Sequence, residues 1–351
     1  YRVPVTVSAA GYARTDRPAE ASVNFTQMLT ALGTSGTLNT NSLRVIEVNA
    51  SGTVLDSAVA FQFDRDAAYN GSTNALGTVV LLMQGTTAAG ATRYYQVYFE
   101  TGGSFVAPAF TNRVTVTDNV HDEGQASYLV STQLASFYYH KQGAGFSSMV
   151  DLSGNDWINY HVGGGSAGEY RGIPNLGAIA HPGYTNSTST LTSTGPLKAT
   201  VSSQSTDGLW ALRWEFYPRF ARLTVTKVAG AFWMLYEGTP GGTYDPATDF
   251  WVRSSGQRLT DNALFVGDIA APEWAYFGDS GSRRFLYLAH HEDDNLEDQY
   301  WNMENNMTVF GFGRQYATDG RLLTQVPARM TIGFGEDTLQ AVSTITGSFR
   351  D

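Results

Sequence analysis

LKATVSSQSTDGLWALRWEFYPRFARLTVTKVAGAFWMLYE, residues 197–237, contains four strand-length runs separated by turn residues. Glycine, proline and aspartate occupy the breaks, and these are the residues that tight turns favour. The pattern predicts a four-stranded antiparallel meander. Its strands are expected at Leu197–Ser203, Leu209–Tyr217, Ala221–Val228 and Ala231–Glu237.

The second run, Leu209–Tyr217, alternates in the way that a strand with two different faces does. Successive side chains of a strand point to opposite faces. The core face is expected to carry Trp210, Leu212, Trp214 and Phe216. The other face carries Arg213, Glu215 and Tyr217, and we predict that it is either solvated or the floor of a sugar-binding groove.

Period-2 runs continue along the rest of the chain. Residues 43–55 read as a hairpin, and Val79–Met83 is predicted to pair with Tyr94–Phe99. Helix is expected at Phe25–Leu32 and, as a single turn, at Leu296–Met303. The sequence therefore predicts an all-β fold, an antiparallel β-sandwich or supersandwich.

Glycine and proline cluster at residues 101–108. We predict a boundary there, with a small N-terminal β-sandwich module over residues 1–105 and a larger antiparallel β-sandwich over residues 115–351. One continuous sandwich is the alternative.

The composition excludes several classes of protein. Only 15% of the residues are charged and the net charge is −10, so the basic surface of a nucleic-acid binder is not expected. No apolar run approaches the length of a membrane-spanning helix. Cysteine is absent, which excludes disulfides and thiolate sites. A surface built from Ser, Thr, Asn and Gly favours a secreted protein, extracellular or periplasmic.

The segment from Phe137 to Tyr184 is dense in aromatic, basic and imidazole side chains. β-Elimination in a uronic-acid polymer needs a group that neutralises the carboxylate, a base for the C5 proton and an acid for the leaving oxygen. Ordinary loop residues are the alternative interpretation. The predicted roles are His181 or Tyr184 as the base, Tyr170 as the acid, and Arg171 with Asn175 as carboxylate neutralisers.

Further side chains are predicted to contact the substrate, namely Lys141, Trp157, Arg213, Glu215, Tyr217, Glu237 and His290. Hydrolysis, the alternative reaction, needs two carboxyl groups about 5–9.5 Å apart. The candidates are Asp151, Asp156, Glu169, Glu215 and Glu237. Spacing along the chain does not choose among them, because neighbours in a sheet need not be neighbours in sequence.

The run from His290 to Asp298 contains five carboxylates in nine residues. Hard oxygen ligands suit Ca²⁺, and Asp293 with Asp294 are the predicted ligands. The spacing differs from that of an EF-hand loop, and a solvated acidic loop is the alternative. No other cofactor is expected to be required.

Several motifs resemble known proteins. The opening YRVPVTV resembles β-sandwich modules of secreted bacterial proteins, and YRGIPN (170–175), HPG (181–183) and YEGTPGG (236–242) resemble exported proteins of polysaccharide-degrading bacteria. A Gly-Pro strand followed by a Trp-rich meander is similar to galactose-mutarotase-like supersandwich domains, which occur in several lyases and hydrolases. The resemblance implies bacterial polysaccharide degradation.

The predicted function is therefore a secreted carbohydrate-active enzyme that degrades a polysaccharide by β-elimination of a uronic-acid polymer. Its expected partner is a polysaccharide or oligosaccharide, with no nucleic acid. A glycoside hydrolase is the first alternative. A non-catalytic extracellular sugar-binding, filament or surface-assembly protein is the second.

Overall fold

The computed structural model describes residues 1–349 of the chain. Its first strands form two antiparallel sheets, in the orders β1-β7-β3-β4 and β2-β6-β5. A buried cluster that includes Phe25, Val79 and Tyr95 joins the two sheets. The bounds are β1 (Arg2–Ser8), β2 (Arg14–Asn24), α1 (Phe25–Ala31), β3 (Asn39–Val48), β4 (Val54–Asp56), β5 (Phe61–Arg65), β6 (Leu76–Thr87) and β7 (Thr92–Glu100).

The helix α1 confirms the prediction of helix at Phe25–Leu32. Asn24 caps it, since its side-chain oxygen accepts the backbone N–H of Gln27 at 3.1 Å. Phe25 and Leu29, one turn apart, are the side chains that the helix buries.

The later strands lie between residues 115 and 335. Their bounds are β8 (Thr115–Asp122), β9 (Gln125–Ser131), β10 (Ala135–His140), β11 (Gly145–Asp151), β12 (Gly172–Asn175), β13 (Ser187–Thr194), β14 (Ala199–Ser205), β15 (Ala211–Phe216), β16 (Phe220–Lys227), β17 (Met234–Gly238), β18 (Asp249–Arg253), β19 (Arg258–Thr260), β20 (Phe265–Gly267), β21 (Trp274–Asp279), β22 (Phe285–His290), β23 (Asp298–Met303), β24 (Met307–Phe312), β25 (Arg314–Gln315), β26 (Gly320–Arg321) and β27 (Ala328–Gly335). The helix α2 (Ala341–Ser348) follows, and short 3₁₀ turns occupy Gly165–Ala167, Pro240–Gly242 and Thr338–Gln340.

Two nine-stranded antiparallel sheets contain most of these strands. The front sheet has the order β20-β23-β24-β17-β12-β11-β10-β9-β8, and the back sheet has the order β13-β14-β15-β16-β27-β22-β21-β18-β19. Aromatic side chains from both sheets meet in one buried core, where the rings of Phe146 and Trp214 lie 4.6 Å apart. The predicted all-β antiparallel sandwich is confirmed.

The four-stranded meander is confirmed only for its first three strands. β14, β15 and β16 are consecutive in the back sheet, whereas β17 lies in the front sheet between β12 and β24. On the side away from β15, β16 pairs with β27 and not with β17. The chain therefore crosses to the front sheet before β17, which pairs with β24. This crossing places Glu237, in β17, on the front sheet.

Two other local predictions are wrong. Val79–Met83 does not pair with Tyr94–Phe99, because β6 already has β2 and β5 as neighbours while β7 lies between β1 and β3. The helical turn expected at Leu296–Met303 is the strand β23. Tyr300 of that strand stacks on the buried ring of Trp251 at 4.7 Å, which favours its place in the sheet.

The alternation along β15 is confirmed on its core face, where Trp210, Leu212, Trp214 and Phe216 belong to the common core. Its other face meets the sheet β2-β6-β5. The Tyr217 hydroxyl donates to Glu20 at 2.7 Å, and Lys198 lies 2.9 Å from Glu20 and 3.5 Å from Glu215. The predicted division between residues 105 and 115 stays a prediction.

Neither helix within residues 1–349 combines the length and the apolar character that crossing a bilayer requires.

Candidate functional site

The outer face of the front sheet carries a polar cluster beside β17. Met234 and Tyr236 of this strand point into the sandwich core. Trp233 and Leu235 belong to a separate cluster, and Glu237 follows them with the same period of two, so all three share the outer face. Glu237 is nevertheless only 3% exposed. Such a buried carboxylate requires partners.

Two nitrogen-bearing side chains supply those partners. Asn175, at the end of β12, donates its amide N–H to Glu237 Oε2 at 2.8 Å. His181 Nε2 lies 3.7 Å from the same oxygen. We call Asn175, His181, Tyr184, Glu237 and Arg321 the front-face site.

The surroundings of His181 favour its protonated form. Its Nε2 lies 3.2 Å from the carbonyl oxygen of Tyr170, and its Nδ1 lies 2.6 Å from that of Pro182. An imidazole with oxygen acceptors at both nitrogens is satisfied best when both carry a hydrogen. Burial opposes the charge, but Glu237 and these carbonyls outweigh it and raise the pKa of His181 above its ordinary value.

Tyr184 and Arg321 form the accessible part of the front-face site. Tyr184 is 38% exposed, and its ring lies 5.3 Å from that of His181. Its hydroxyl donates to the carbonyl oxygen of Gly177 at 3.5 Å. Arg321 packs against Gly177 where a β-carbon would otherwise lie. Burial and Glu237 raise the pKa of Tyr184, while Arg321 acts in the opposite direction.

Arg321 also lies against the ring of Trp233, which is buried on this side of the sheet. The Arg321 guanidinium lies 5.1 Å from the centre of the Trp233 ring, and the Arg314 guanidinium lies 5.4 Å from the same ring. Arg314 also lies 6.0 Å from the ring of Trp301. Cations and aromatic faces are therefore adjacent on this side of the sheet.

A second histidine supports the loop that carries His181. His140 is buried, and its Nδ1 accepts the backbone N–H of Gly183 at 3.0 Å. Its Nε2 therefore carries the hydrogen in the neutral ring, and this nitrogen lies 3.8 Å from Asp122. Tyr160 lies between the two histidines, with ring distances of 5.5 Å to His140 and 6.3 Å to His181.

The structure separates Tyr170 and Arg171 from the roles predicted for their side chains. The Arg171 guanidinium is buried and donates to the carbonyl oxygens of Asn159 at 3.3 Å and Asn306 at 2.8 Å. Burial lowers its pKa. Tyr170 contributes its carbonyl oxygen to His181, and its side chain is 53% exposed. Neither side chain is among the partners of Glu237.

Several residues that were predicted to contact the substrate have partners outside the front-face site. Lys141 pairs with Asp118 and lies 4.3 Å from the ring of Tyr128. Trp157 is buried, and its indole N–H donates to Asp151 at 3.0 Å. A sugar cannot stack on this buried ring.

Arg213, Glu215 and Tyr217 lie on the outer face of the back sheet, where Glu215 neighbours Lys198. Glu215 and Glu237 are thus on opposite sides of the sandwich. Packed sheets are about 10 Å apart, so these two carboxyl groups cannot flank one glycosidic bond.

Two other carboxyl groups that were candidates for hydrolysis accept hydrogen bonds from backbone N–H groups. Asp151 accepts the N–H groups of Ser153 and Asn155, and Asp156 accepts those of Met149 and Ile158. His290, Asp293 and Asp294 lie at the end of β22 and in the loop after it, where His290 Nδ1 is 2.6 Å from Glu273 Oε2.

Arg321 and Glu273 were not predicted from the sequence as site residues. Arg321 belongs to a two-residue strand, and Glu273 immediately precedes the strand β21, so neither stands in a recognisable motif. The signal available for Glu273 was weak, a carboxylate between Pro272 and an aromatic strand.

No protein-family model matches the chain, and no curated protein matches it. The solved structures that are similar in fold include the following two. One is an alpha-mannosidase from Enterococcus faecalis V583, with a TM-score of 0.52 and 10% identity over 99% of this chain and 45% of that one. The other is a protein in the glycosyl hydrolase family 38 from Enterococcus faecalis, with a TM-score of 0.51 and 10% identity over 99% of this chain and 47% of that one. The chain spans less than half the length of either protein, and the likeness establishes the fold.

Proposed function

We propose that this chain acts on carbohydrate and that glycosidic linkages are cleaved at the front-face site. The observation that carries the proposal is the buried Glu237 carboxylate, held by Asn175 and His181 beside the half-exposed Tyr184. A buried carboxylate–imidazole pair next to a phenol can hold and move protons in a partly water-excluded place. Arg321, which is exposed, adds a cationic hydrogen-bond donor for a sugar or carboxylate oxygen.

Hydrolysis is the reaction that the structural neighbours favour, because their names describe a mannosidase and a glycosyl hydrolase. Glu237 would then be one of the two carboxyl groups that hydrolysis needs. Those neighbours are more than twice as long as this chain, so their activity need not reside in the half that is shared. A carbohydrate-binding part of a larger enzyme is consistent with the same likeness.

Elimination in a uronic-acid polymer is the second candidate, and the chemistry of the front-face site favours it. Glu237 is hydrogen-bonded to Asn175 and close to His181, both of which carry nitrogen donors. Asn175, protonated His181 and Arg321 would neutralise a substrate carboxylate, with Glu237 setting the charge of His181. Tyr184 would act as its phenolate, the form that Arg321 favours, taking the C5 proton and returning that same proton to the leaving oxygen.

The experiment is a substrate panel with two simultaneous readouts. The full chain is incubated with p-nitrophenyl α-mannoside, mannan, alginate and polygalacturonate, and new reducing ends and absorbance near 235 nm are recorded together. Reducing ends without that absorbance establish hydrolysis, and both signals together establish elimination. If neither signal appears on any substrate, catalysis by this chain is rejected. Retention on immobilised glycan then decides whether it only binds sugar.

A further inference from the structure

We propose that Glu273, His290 and Asp294 form a binding site for a divalent transition-metal ion such as Zn²⁺, separate from the front-face site. One ligand atom of each residue lies within 4.8 Å of the other two. Imidazole nitrogen with carboxylate oxygen is a donor set that Zn²⁺ accepts. The proposal does not depend on the reaction assigned to the front-face site.

The backbone fixes the first two ligands. Glu273 immediately precedes β21, and His290 ends the adjacent antiparallel strand β22. The backbone N–H of His290 donates to the carbonyl oxygen of Glu273 at 3.0 Å. Asp294 follows in the next loop, and its own N–H donates to Glu273 Oε1 at 3.0 Å. Sheet pairing and this loop contact therefore bring the three side chains together.

The donor atoms need only a small adjustment to hold an ion. His290 Nδ1 and Glu273 Oε2 are 2.6 Å apart and share one hydrogen. In a tetrahedral zinc centre with bonds of about 2.0–2.2 Å, ligand atoms are about 3.3 Å apart. Parting the pair by less than about 1 Å would admit the ion in place of the shared hydrogen.

A supporting carboxylate stands behind the histidine. Glu292 Oε2 lies 3.9 Å from His290 Nε2, the nitrogen that remains when Nδ1 binds a metal. Arg329 holds Glu292 through its guanidinium at 2.9 Å and its backbone N–H at 2.7 Å. A shift of about 1 Å would bring Glu292 within hydrogen-bond distance of His290 Nε2, and a carboxylate in that position orients metal-bound imidazoles in proteins.

The neighbourhood has an excess of negative charge. Burial, Glu273 and Asp294 raise the pKa of Asp298 well above its usual value. Burial with Asp294 and Asp293 raises the pKa of Asp268. A bound dication would relieve the repulsion among these carboxylates.

Solvent and ions can reach the three ligands. A cleft of about 470 Å³ is lined by His290, Glu292 and Asp294, and another of about 380 Å³ is lined by Glu273 and His290. The imidazole distinguishes this site from the all-oxygen Ca²⁺ site expected at Asp293 and Asp294, since Ca²⁺ prefers oxygen ligands.

The test is calorimetric titration of the EDTA-treated full chain with Zn²⁺ alone, and with Ca²⁺ alone as the comparison. We expect one Zn²⁺ per chain, bound at least tenfold more tightly than Ca²⁺. Asp294→Asn should weaken Zn²⁺ binding at least tenfold while it keeps the side-chain oxygen that accepts the Leu296 N–H. Asp293→Asn, the same charge change one residue away, should alter the affinity less than threefold.

The visible absorption of bound Co²⁺ supplies an independent readout of the imidazole ligand, and His290→Gln should change it. Far-UV circular dichroism establishes that each variant is folded. Absence of Zn²⁺ binding, equal losses in Asp293→Asn and Asp294→Asn, or tighter binding of Ca²⁺ than of Zn²⁺ would each overturn the proposal.

Discussion

Two buried histidine–carboxylate pairs, His181–Glu237 and His290–Glu273, share one chemistry and differ in what surrounds them. The first has the hydrogen-bond donor Asn175 on Glu237, and Arg321 beside Tyr184, whose ring contacts His181. The second has the carboxylates of Asp294 and Glu292. We therefore expect the neighbouring groups to determine the use of such a pair. Surrounding donors suit a proton-transfer site for a polar substrate, whereas surrounding carboxylates suit a cation.

The largest expected effect comes from Glu237→Gln, which keeps the shape of the side chain and removes its charge. We expect glycan cleavage to fall about 10²–10³-fold, because a side chain that transfers protons or stabilises charge contributes about that much. The measurement is the initial rate on whichever panel substrate the wild type cleaves.

The matched control is Glu47→Gln, another buried carboxylate with a single ionic partner, Arg93. It lies in β3, in a different sheet from β17, and the rate of the variant should stay within threefold of the wild type. If both variants lost the same fraction of the cleavage rate, the effect would come from the lower stability of the fold, and Glu237 would have no specific role in cleavage.

Tyr184→Phe is expected to lower the rate about 10–100-fold, because the variant keeps the ring beside His181 and removes the proton-bearing oxygen. Tyr170→Phe should cost less, since Tyr170 reaches His181 through its backbone oxygen, which the substitution keeps. The measurement is the initial rate of each variant on the same substrate. A larger loss for Tyr170→Phe would return the acid role to that residue.

His181→Gln should lower the free energy of unfolding by about 1–3 kcal/mol, because Glu237 loses a buried partner. The folded pKa of His181 is raised, so its stabilisation is complete below the ordinary histidine value of about 6.5 and is lost as the pH rises through the folded value. Denaturant titrations at a series of pH values should show the largest difference between wild type and variant in acid. A difference that grows with pH would contradict this account of the pair.

The smallest effect is expected from Asp294→Asn in metal-free protein, which should raise the free energy of unfolding by about 0.5 kcal/mol. The variant removes one carboxylate from a crowded acidic neighbourhood, where burial and, to a smaller extent, Asp294 raise the pKa of Glu273. Asn175→Asp is its counterpart at the other pair and should destabilise the protein, because it places a second carboxylate against Glu237. If both variants shift stability in the same direction, the two pairs do not differ in the way proposed.

Individual strands were predictable from sequence. The His181–Glu237 and His290–Glu273 pairs were predictable only in part. The alternation from Trp210 to Tyr217 identifies both faces of β15, because the period of a strand is a local property. Asn175, His181 and Tyr184 lie within ten residues, so one loop-rich segment pointed to all three. Arg171 belongs to the same segment, yet its side chain faces away from Glu237 toward two backbone carbonyls.

The partners of those residues were not predictable, because sheet order depends on pairings between distant parts of the chain. Glu237 meets Asn175 only because β17 leaves the meander and pairs with β12. Glu273 meets His290 only because β21 pairs with β22. Arg321 reaches Gly177 from a strand of two residues, too short to leave a periodic signal.

The most direct test of the front-face site is a crystal structure of Glu237→Gln with an oligosaccharide of the glycan that the wild type cleaves. We predict a sugar ring on the outer face of the front sheet, with oxygen atoms within about 3.5 Å of the Tyr184 hydroxyl and the Arg321 guanidinium. A sugar bound on another surface, with Tyr184 and Arg321 uncontacted, would contradict the assignment of this site.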